Sequence, residues 1–187
     1  AIPPYQKAGK QLRPWADPED IKATSEAIVG AKRPVIVAVG GCRRSGAHDE
    51  LRSLSELTGM AVFTTPSGRG SIEEDHPLSC GQVGLYRTRF GMDVFGEADL
   101  VITVGSRNEE FQTLGWSLMP EQAKFIQIDI ESFEMGRNYI PDVPLLGDAK
   151  AVLTQLNDAL SQQVDPAWTK RARLVGERSS QFYREVQ

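Results

Sequence analysis

Apolar positions follow two rhythms along this chain. Short unbroken runs, Val35-Ile36-Val37-Ala38-Val39 the longest, alternate with stretches where leucine, isoleucine or valine returns every three to four residues. Runs of the first kind at 35–39, 60–64, 99–104, 125–130 and 143–146 predict five strands, and a sixth short strand is expected near 78–80. Helical spacing follows at 47–57, where Leu51, Leu54 and Leu57 share one side and Gly59 supplies a stop, and again at 89–95 and 149–160. Ahead of the first strand, Asp17 is a cap residue, Pro18 suits the first helical position, and Glu19 and Asp20 suit the positive helix end. Ile21, Thr24 and Ile28 fall on one face of that helix, Val29 at its edge, and Gly30 ends it. After Asp165-Pro166 a last helix is expected over 167–186, carrying Lys170, Arg171, Arg173, Arg178 and Arg184. Those cations are read as a solvated face, with anion binding as the alternative.

Strands without polar alternation are buried on both faces, which requires helices on both sides of a parallel sheet. The expected fold is therefore α/β: a doubly wound, mostly parallel six-stranded sheet, Rossmann-like, of the DHS-like NAD/FAD-binding type. Pro3, Pro4 and Pro14 punctuate an aperiodic start, so the expected boundaries are a linker at 1–16, the Rossmann-like body at 17–163 and a helical connector at 164–187.

Composition narrows the function classes. The net charge of −4 argues against a broad nucleic-acid-binding face. No apolar run approaches the ~20 residues of a membrane span. Cys42 and Cys80 are too few for a disulfide framework and suit free thiols in a reducing cytoplasm. His48 and His76 show no metal-ligand spacing with them. The polar, proline-rich start does not resemble a signal peptide, and Ala1 in place of methionine leaves a processed product and an excised fragment both open.

In open α/β sheets ligands sit beyond the carboxyl ends of the strands, so the strand-end loops are where chemistry is sought. Gly40-Gly41 follows the first strand and permits close backbone approach ahead of a helix N-terminus, a phosphate-binding arrangement, although a tight turn alone needs the same glycines. The spacing is not G-x-G-x-x-G, and the second strand ends in Thr64-Thr65 with no acidic residue, which disfavours a simple NAD dehydrogenase. Thr64 and Thr65 offer hydroxyls, and Gly81-Gln82-Val83-Gly84 repeats the glycine pairing. Beyond the 99–104 strand, Gly105-Ser106-Arg107-Asn108-Glu109-Glu110 offers Arg107 to a phosphate. Asp129-Ile130-Glu131 puts carboxylates where ribose or adenine donors would lie. Trp116 is expected to pack in the core, with cover for a ligand or subunit contact as the alternative.

These loops are also what the chain shares with a family. Pro34 to Gly41, Leu57-Thr58-Gly59-Met60-Ala61-Val62, Gly81-Gln82-Val83-Gly84, Asp99 to Arg107, Ile128-Asp129-Ile130-Glu131 and Leu146-Gly147-Asp148 resemble, in order, the central domain of thiamine-diphosphate-dependent enzymes of the acetolactate synthase, pyruvate oxidase and oxalyl-CoA decarboxylase type. The resemblance covers about residues 20–160. It implies a full-length transferase or lyase acting on 2-keto acids, with thiamine diphosphate and Mg²⁺ held by N- and C-terminal catalytic domains. It further implies a homo-oligomer for the full-length enzyme. For this domain it implies FAD, ADP or no ligand. By position, Gly40, Gly41, Thr64, Thr65, Gly81, Gln82, Gly84, Gly105, Arg107, Asp129, Ile130 and Asp148 would line the nucleotide site. The match departs where FAD-binding members carry a third glycine (Val39 here), a histidine (Val83 here) and Phe-Asp-Asp (Asn108-Glu109-Glu110 here). The family's cofactor motif is Gly-Asp-Gly followed by paired asparagines. Gly147-Asp148 continues with Ala149, and 172–178 holds no asparagine, so no catalysis and no metal ligand is expected from this chain by itself. Two other classes stay open: a stand-alone nucleotide or sirtuin-like deacylase module, for which the histidines and cysteines fit poorly, and a structural spacer with an empty crevice.

Overall fold

The computed structural model describes residues 12–163 and 165–185, so most of the expected linker, residues 1–11, lies outside it. In chain order the elements are α1 (Pro18–Gly30), β1 (Pro34–Ala38), α2 (Gly40–Ser45), α3 (His48–Thr58), β2 (Ala61–Thr64), β3 (Ser79–Gln82), α4 (Arg89–Gly96), β4 (Leu100–Val104), α5 (Glu110–Thr113), β5 (Lys124–Asp129), β6 (Val143–Leu146), α6 (Ala149–Leu160) and α7 (Pro166–Glu185). The strands form one six-stranded sheet in the order β3-β2-β1-β4-β5-β6. Every pairing is parallel. That is the doubly wound α/β fold, with its connection reversing between β1 and β4.

The apolar runs explain the sheet. β1, β2 and β4 are buried at every position, and β5 at all but Lys124. Alternate residues feed two cores. Ile36, Val62, Ile102 and Ile126 meet Ile28, Leu54, Leu153 and Leu156 of α1, α3 and α6 on one face. Val37, Phe63 and Val101 meet Phe90, Val94 and Phe95 of α4 on the other, where Phe63 and Phe95 pack edge to face at 5.4 Å. The caps behave as read: Asp17 accepts the Glu19 N–H at 2.8 Å to start α1.

Three segments differ from expectation. The short strand expected near 78–80 is β3, which begins one residue later than the apolar signal and shifts register against β2 between Val62 and Thr64. Gly40-Gly41, expected as loop, opens the short helix α2: its first turn is held by the Arg43 N–H on Val39 O and by the Gly41 N–H on Gly105 O, so tertiary contact overrides poor glycine propensity. The inner face of α7 is docked. Trp168 is 2% exposed, Phe182 stacks on Phe90 at 5.6 Å, and the Arg171 guanidinium donates to Thr58 O and Ala31 O at the ends of α3 and α1. Among the described residues no helix is long and apolar enough to cross a membrane.

Candidate functional site

The carboxyl ends of β1, β4, β5 and β6 enclose an open crevice of about 670 Å³ beside the topological switch. Its floor is built from backbone. The Gly41 N–H donates to Gly105 O at 3.1 Å, and the Gly105 N–H donates to Ile128 O at 2.8 Å. A Cβ on Gly41 would stand 2.5 Å from the Gly105 Cα, and one on Gly105 would stand 2.4 Å from the Gly41 Cα. Gly105 also has φ +65°, open to glycine at no steric cost. This glycine pair is therefore required by the chain's own packing, whatever the crevice holds.

Seven of the twelve residues expected at the site line the crevice: Gly40, Gly41, Gly105, Arg107, Asp129, Ile130 and Asp148. The other five lie to the β2–β3 side. Thr64 and Thr65 are buried, and Thr65 Oγ1 contacts Ser67 Oγ at 3.1 Å and accepts the Gly68 N–H, so this loop reaches the crevice through Ser67. Gly81 and Gln82 belong to the edge strand β3, where Gln82 Oε1 is buried with no hydrogen-bond partner among the described residues. At Gly84 a Cβ would stand 2.3 Å from Phe111 O, so this glycine admits the backbone of α5.

Sequence reasoning missed several lining groups. Arg44 and Ser45 lie on α2, and Gln112 and Glu134 complete the wall beside Glu131, whose carboxylate the sequence had placed at this strand end. Behind it runs a buried polar network. Ser106 Oγ donates to Gln112 Oε1 at 2.7 Å and accepts the Asn108 N–H, while Gln127 Nε2 donates to Ser106 O and Glu134 O. Gln127 was the available signal: a polar side chain inside the apolar run of β5, 1% exposed, needs dedicated partners. Trp116 is not in the core. It is 51% exposed with φ +59°, and it lines a side cavity that shares Arg107 and Glu109 with the crevice.

Electrostatically the crevice sets Arg44 and Arg107 against Glu109, Asp129, Glu131, Glu134 and Asp148. Arg107 pairs with Glu109 at 3.0 Å, but both are well exposed, so the pair is weak and the guanidinium remains available to another anion. Asp148 is committed. It accepts from Arg13 Nη1 at 2.7 Å, from Ser45 Oγ at 2.9 Å and from the Ala151 N–H, which caps α6.

Asp129 is different. Burial pushes its carboxyl above the ordinary range, with Glu134 and Glu131 adding repulsion and the backbone N–H groups of Glu131 and Ile130 opposing the rise. A carboxyl whose folded pKa is raised favours folding most below its unfolded pKa and loses that contribution as pH rises through the folded value. Asp129→Asn keeps an oxygen for the Glu131 N–H and is therefore expected to stabilise the domain more at about pH 7 than at about pH 4, in urea unfolding. A pH-independent difference would refute this.

Residues 21–156 match the family described as thiamine pyrophosphate enzyme, central domain. The chain belongs to that family. This central domain is 41% identical over 139 residues to a probable acetolactate synthase large subunit of Methanococcus aeolicus, covering 74% of this chain and 23% of that protein. It is 35% identical over 136 residues to an acetolactate synthase of Mycobacterium bovis, covering 73% and 22%. It is 37% identical over 156 residues to a glyoxylate carboligase of Escherichia coli O157:H7, covering 83% and 25%. The central domain thus spans about a quarter of the length of these relatives.

Proposed function

We propose that this central domain binds an adenine nucleotide, ADP or the ADP half of FAD, in the strand-end crevice. The parent would be a thiamine-diphosphate- and Mg²⁺-dependent enzyme acting on 2-keto acids. The observation that carries the reading is the pairing of two exposed arginines, Arg44 and Arg107, with a buried carboxyl, Asp129, around one crevice at the switch point. Arg44 and Arg107 suit a diphosphate, and Asp129 and Glu131 suit hydroxyl or amino donors of the nucleoside. With five carboxylates to two arginines, the lining favours one diphosphate over a larger polyanion. The volume of about 670 Å³ is that of a cofactor site.

The thiamine diphosphate and Mg²⁺ are assigned to N- and C-terminal domains of the same polypeptide, in a homo-oligomer. Supporting this, the Asp148 carboxylate is spent on Arg13, Ser45 and α6. Cys42 and Cys80 are buried thiols whose pKa burial raises to about 12, which suits a reducing compartment such as the cytoplasm. Neither histidine lines the crevice, which removes support for a deacylase. A structural spacer is favoured by one observation: the Gly41–Gly105 contact accounts for those glycines without a ligand.

Calorimetric titration with ADP, FAD and NAD tests the reading. Saturable one-to-one binding of ADP or FAD is expected, weakened about tenfold by Arg107→Ala, which corresponds to about 1.4 kcal/mol. No binding by any of them would leave the spacer.

A further inference from the structure

The opposite end of the sheet carries a second cavity that the nucleotide reading does not use. A groove of about 620 Å³ runs under α7, between that helix, the C-terminal end of α1 and the amino ends of β1 and β2. One face of α7 lines it through Ala167, Lys170, Arg171, Leu174, Val175 and Arg178, the repeat of a single helical stripe. The floor is apolar: Val35, Ala61 and Val94 lie at its base, and two large side chains exposed to solvent, Val29 and Leu174, at 38% and 45%, flank it. The rim is cationic. Lys32, Arg33, Lys170, Arg171 and Arg178 line the groove against two carboxylates, Glu97 and Asp165, on a chain whose net charge is −4.

Arg171 supplies the second, independent observation. It is half-buried in the groove wall, and its terminal nitrogens donate to two carbonyl oxygens, those of Thr58 and Ala31, and to no carboxylate among the described residues. Carbonyl dipoles at helix C-termini solvate a guanidinium but do not neutralise it. Burial works against its charge, and the carboxylates of Asp99 and Asp165 offset that only in part, from beyond hydrogen-bonding range, so an anion entering the groove would add to the compensation. Arg178 and Arg33 are held on the other side by Glu97, through its carboxylate and its carbonyl respectively, which keeps the rim charges in place over the apolar floor.

We infer that the groove beneath α7 binds a small amphiphilic organic anion, with its apolar body on the Val35–Leu174 floor and its carboxylate or equivalent acid group at the Lys170–Arg171 rim. The size is that of a small-molecule site. Charge complementarity selects an acid over a neutral amphiphile, and the short apolar floor selects a body of roughly six to ten carbons over a long lipid chain. The site lies away from the strand-end crevice, so occupancy at one end need not involve the other.

The test uses octanoate and the purified chain, followed by amide chemical shifts and calorimetry. Saturable one-to-one binding is expected, with the largest shifts at Val29, Lys170, Leu174 and Val175 and none at Arg107. Octan-1-ol, with the same apolar body and no charge, should bind about tenfold more weakly, and added salt should weaken octanoate but not octanol. Lys170→Glu, an exposed change on one helix, should weaken octanoate about tenfold while leaving ADP titration unchanged. Equal affinities for octanol and octanoate, indifference to Lys170→Glu, shifts centred on the strand-end crevice, or no saturation at low millimolar octanoate would each overturn the inference. ADP binding does not enter these readouts, so the crevice reading and this one fail separately.

Discussion

Gly105→Ala is expected to destabilise the domain by about 3 kcal/mol or more, because two separate costs of ~1–3 kcal/mol each add at one position. The first is conformational. At φ +65° an L side chain is strained, and alanine has no side-chain hydrogen bond to offset it. The second is steric. The new methyl would stand 2.4 Å from the Gly41 Cα and 2.6 Å from the Cys42 nitrogen, both backbone atoms of α2, which is itself pinned through Ser45 to Asp148. The neighbours cannot yield as a flexible side chain would, so β1 and β4 must part at the switch point. The loss should appear in urea unfolding as a lower midpoint, and ADP titration of the folded fraction should fail, since the crevice floor is the contact being broken. Gly30→Ala is the contrasting control. A Cβ there would have nothing within 4 Å among the described residues, and the residue ends α1, so a stabilisation of ~0.4–1 kcal/mol is expected. If both substitutions behave alike, the Gly41–Gly105 contact does not hold the floor.

The sheet was legible because burial on both faces leaves a simple trace. Five apolar runs gave five strands to within a residue at each end, and all are parallel, as burial on both faces requires. The trace fades where burial is one-sided or tertiary. β3 is short and shifted, and α2 starts on two glycines that local propensity disfavours in helices. The docking of α7 was invisible for a related reason. Its charged residues dominate the composition, while its anchoring depends on one tryptophan, one stacked phenylalanine and an arginine whose partners are backbone carbonyls.

Strand-end position set seven of the twelve expected residues around one crevice, Arg107, Asp129 and the Gly41–Gly105 pair among them, and left the glycines of the β2–β3 side outside it. Gly84 answers to the backbone of α5, and Gly81 and Gln82 answer to the edge strand, because a glycine pattern does not say which neighbour approaches it. The buried Ser106–Asn108–Gln112–Gln127 network could not be paired from sequence, since its members meet only once β4 and β5 lie side by side.

The resemblance puts Asp148 at the nucleotide site and its hydrogen bonds make it a structural latch, and its substitutions are expected to tell the two roles apart. As a latch, its carboxylate joins residues 12–16, α2 and α6: Arg13 and Ser45 donate to it, and it caps α6 through the Ala151 N–H. Asp148→Ala removes an N-cap worth ~0.5–2 kcal/mol and charge-assisted hydrogen bonds worth ~1.5–3 kcal/mol, so a loss of about 3 kcal/mol is expected in urea unfolding. Asp148→Asn keeps a capping oxygen and loses only the charge, and about 1 kcal/mol is expected. Arg13→Ala should cost a similar ~1 kcal/mol, because the Arg13 side chain is 37% exposed and solvent screens the pair. The double change should be clearly less than additive. Nucleotide affinity then decides the second role. If Asp148 serves only as the latch, Asp148→Asn leaves ADP binding within about twofold, because the cap still positions α6 beside the crevice. If it also contacts the nucleotide, affinity falls about tenfold at unchanged fold, and the carboxylate that closes the domain would be shared with its ligand.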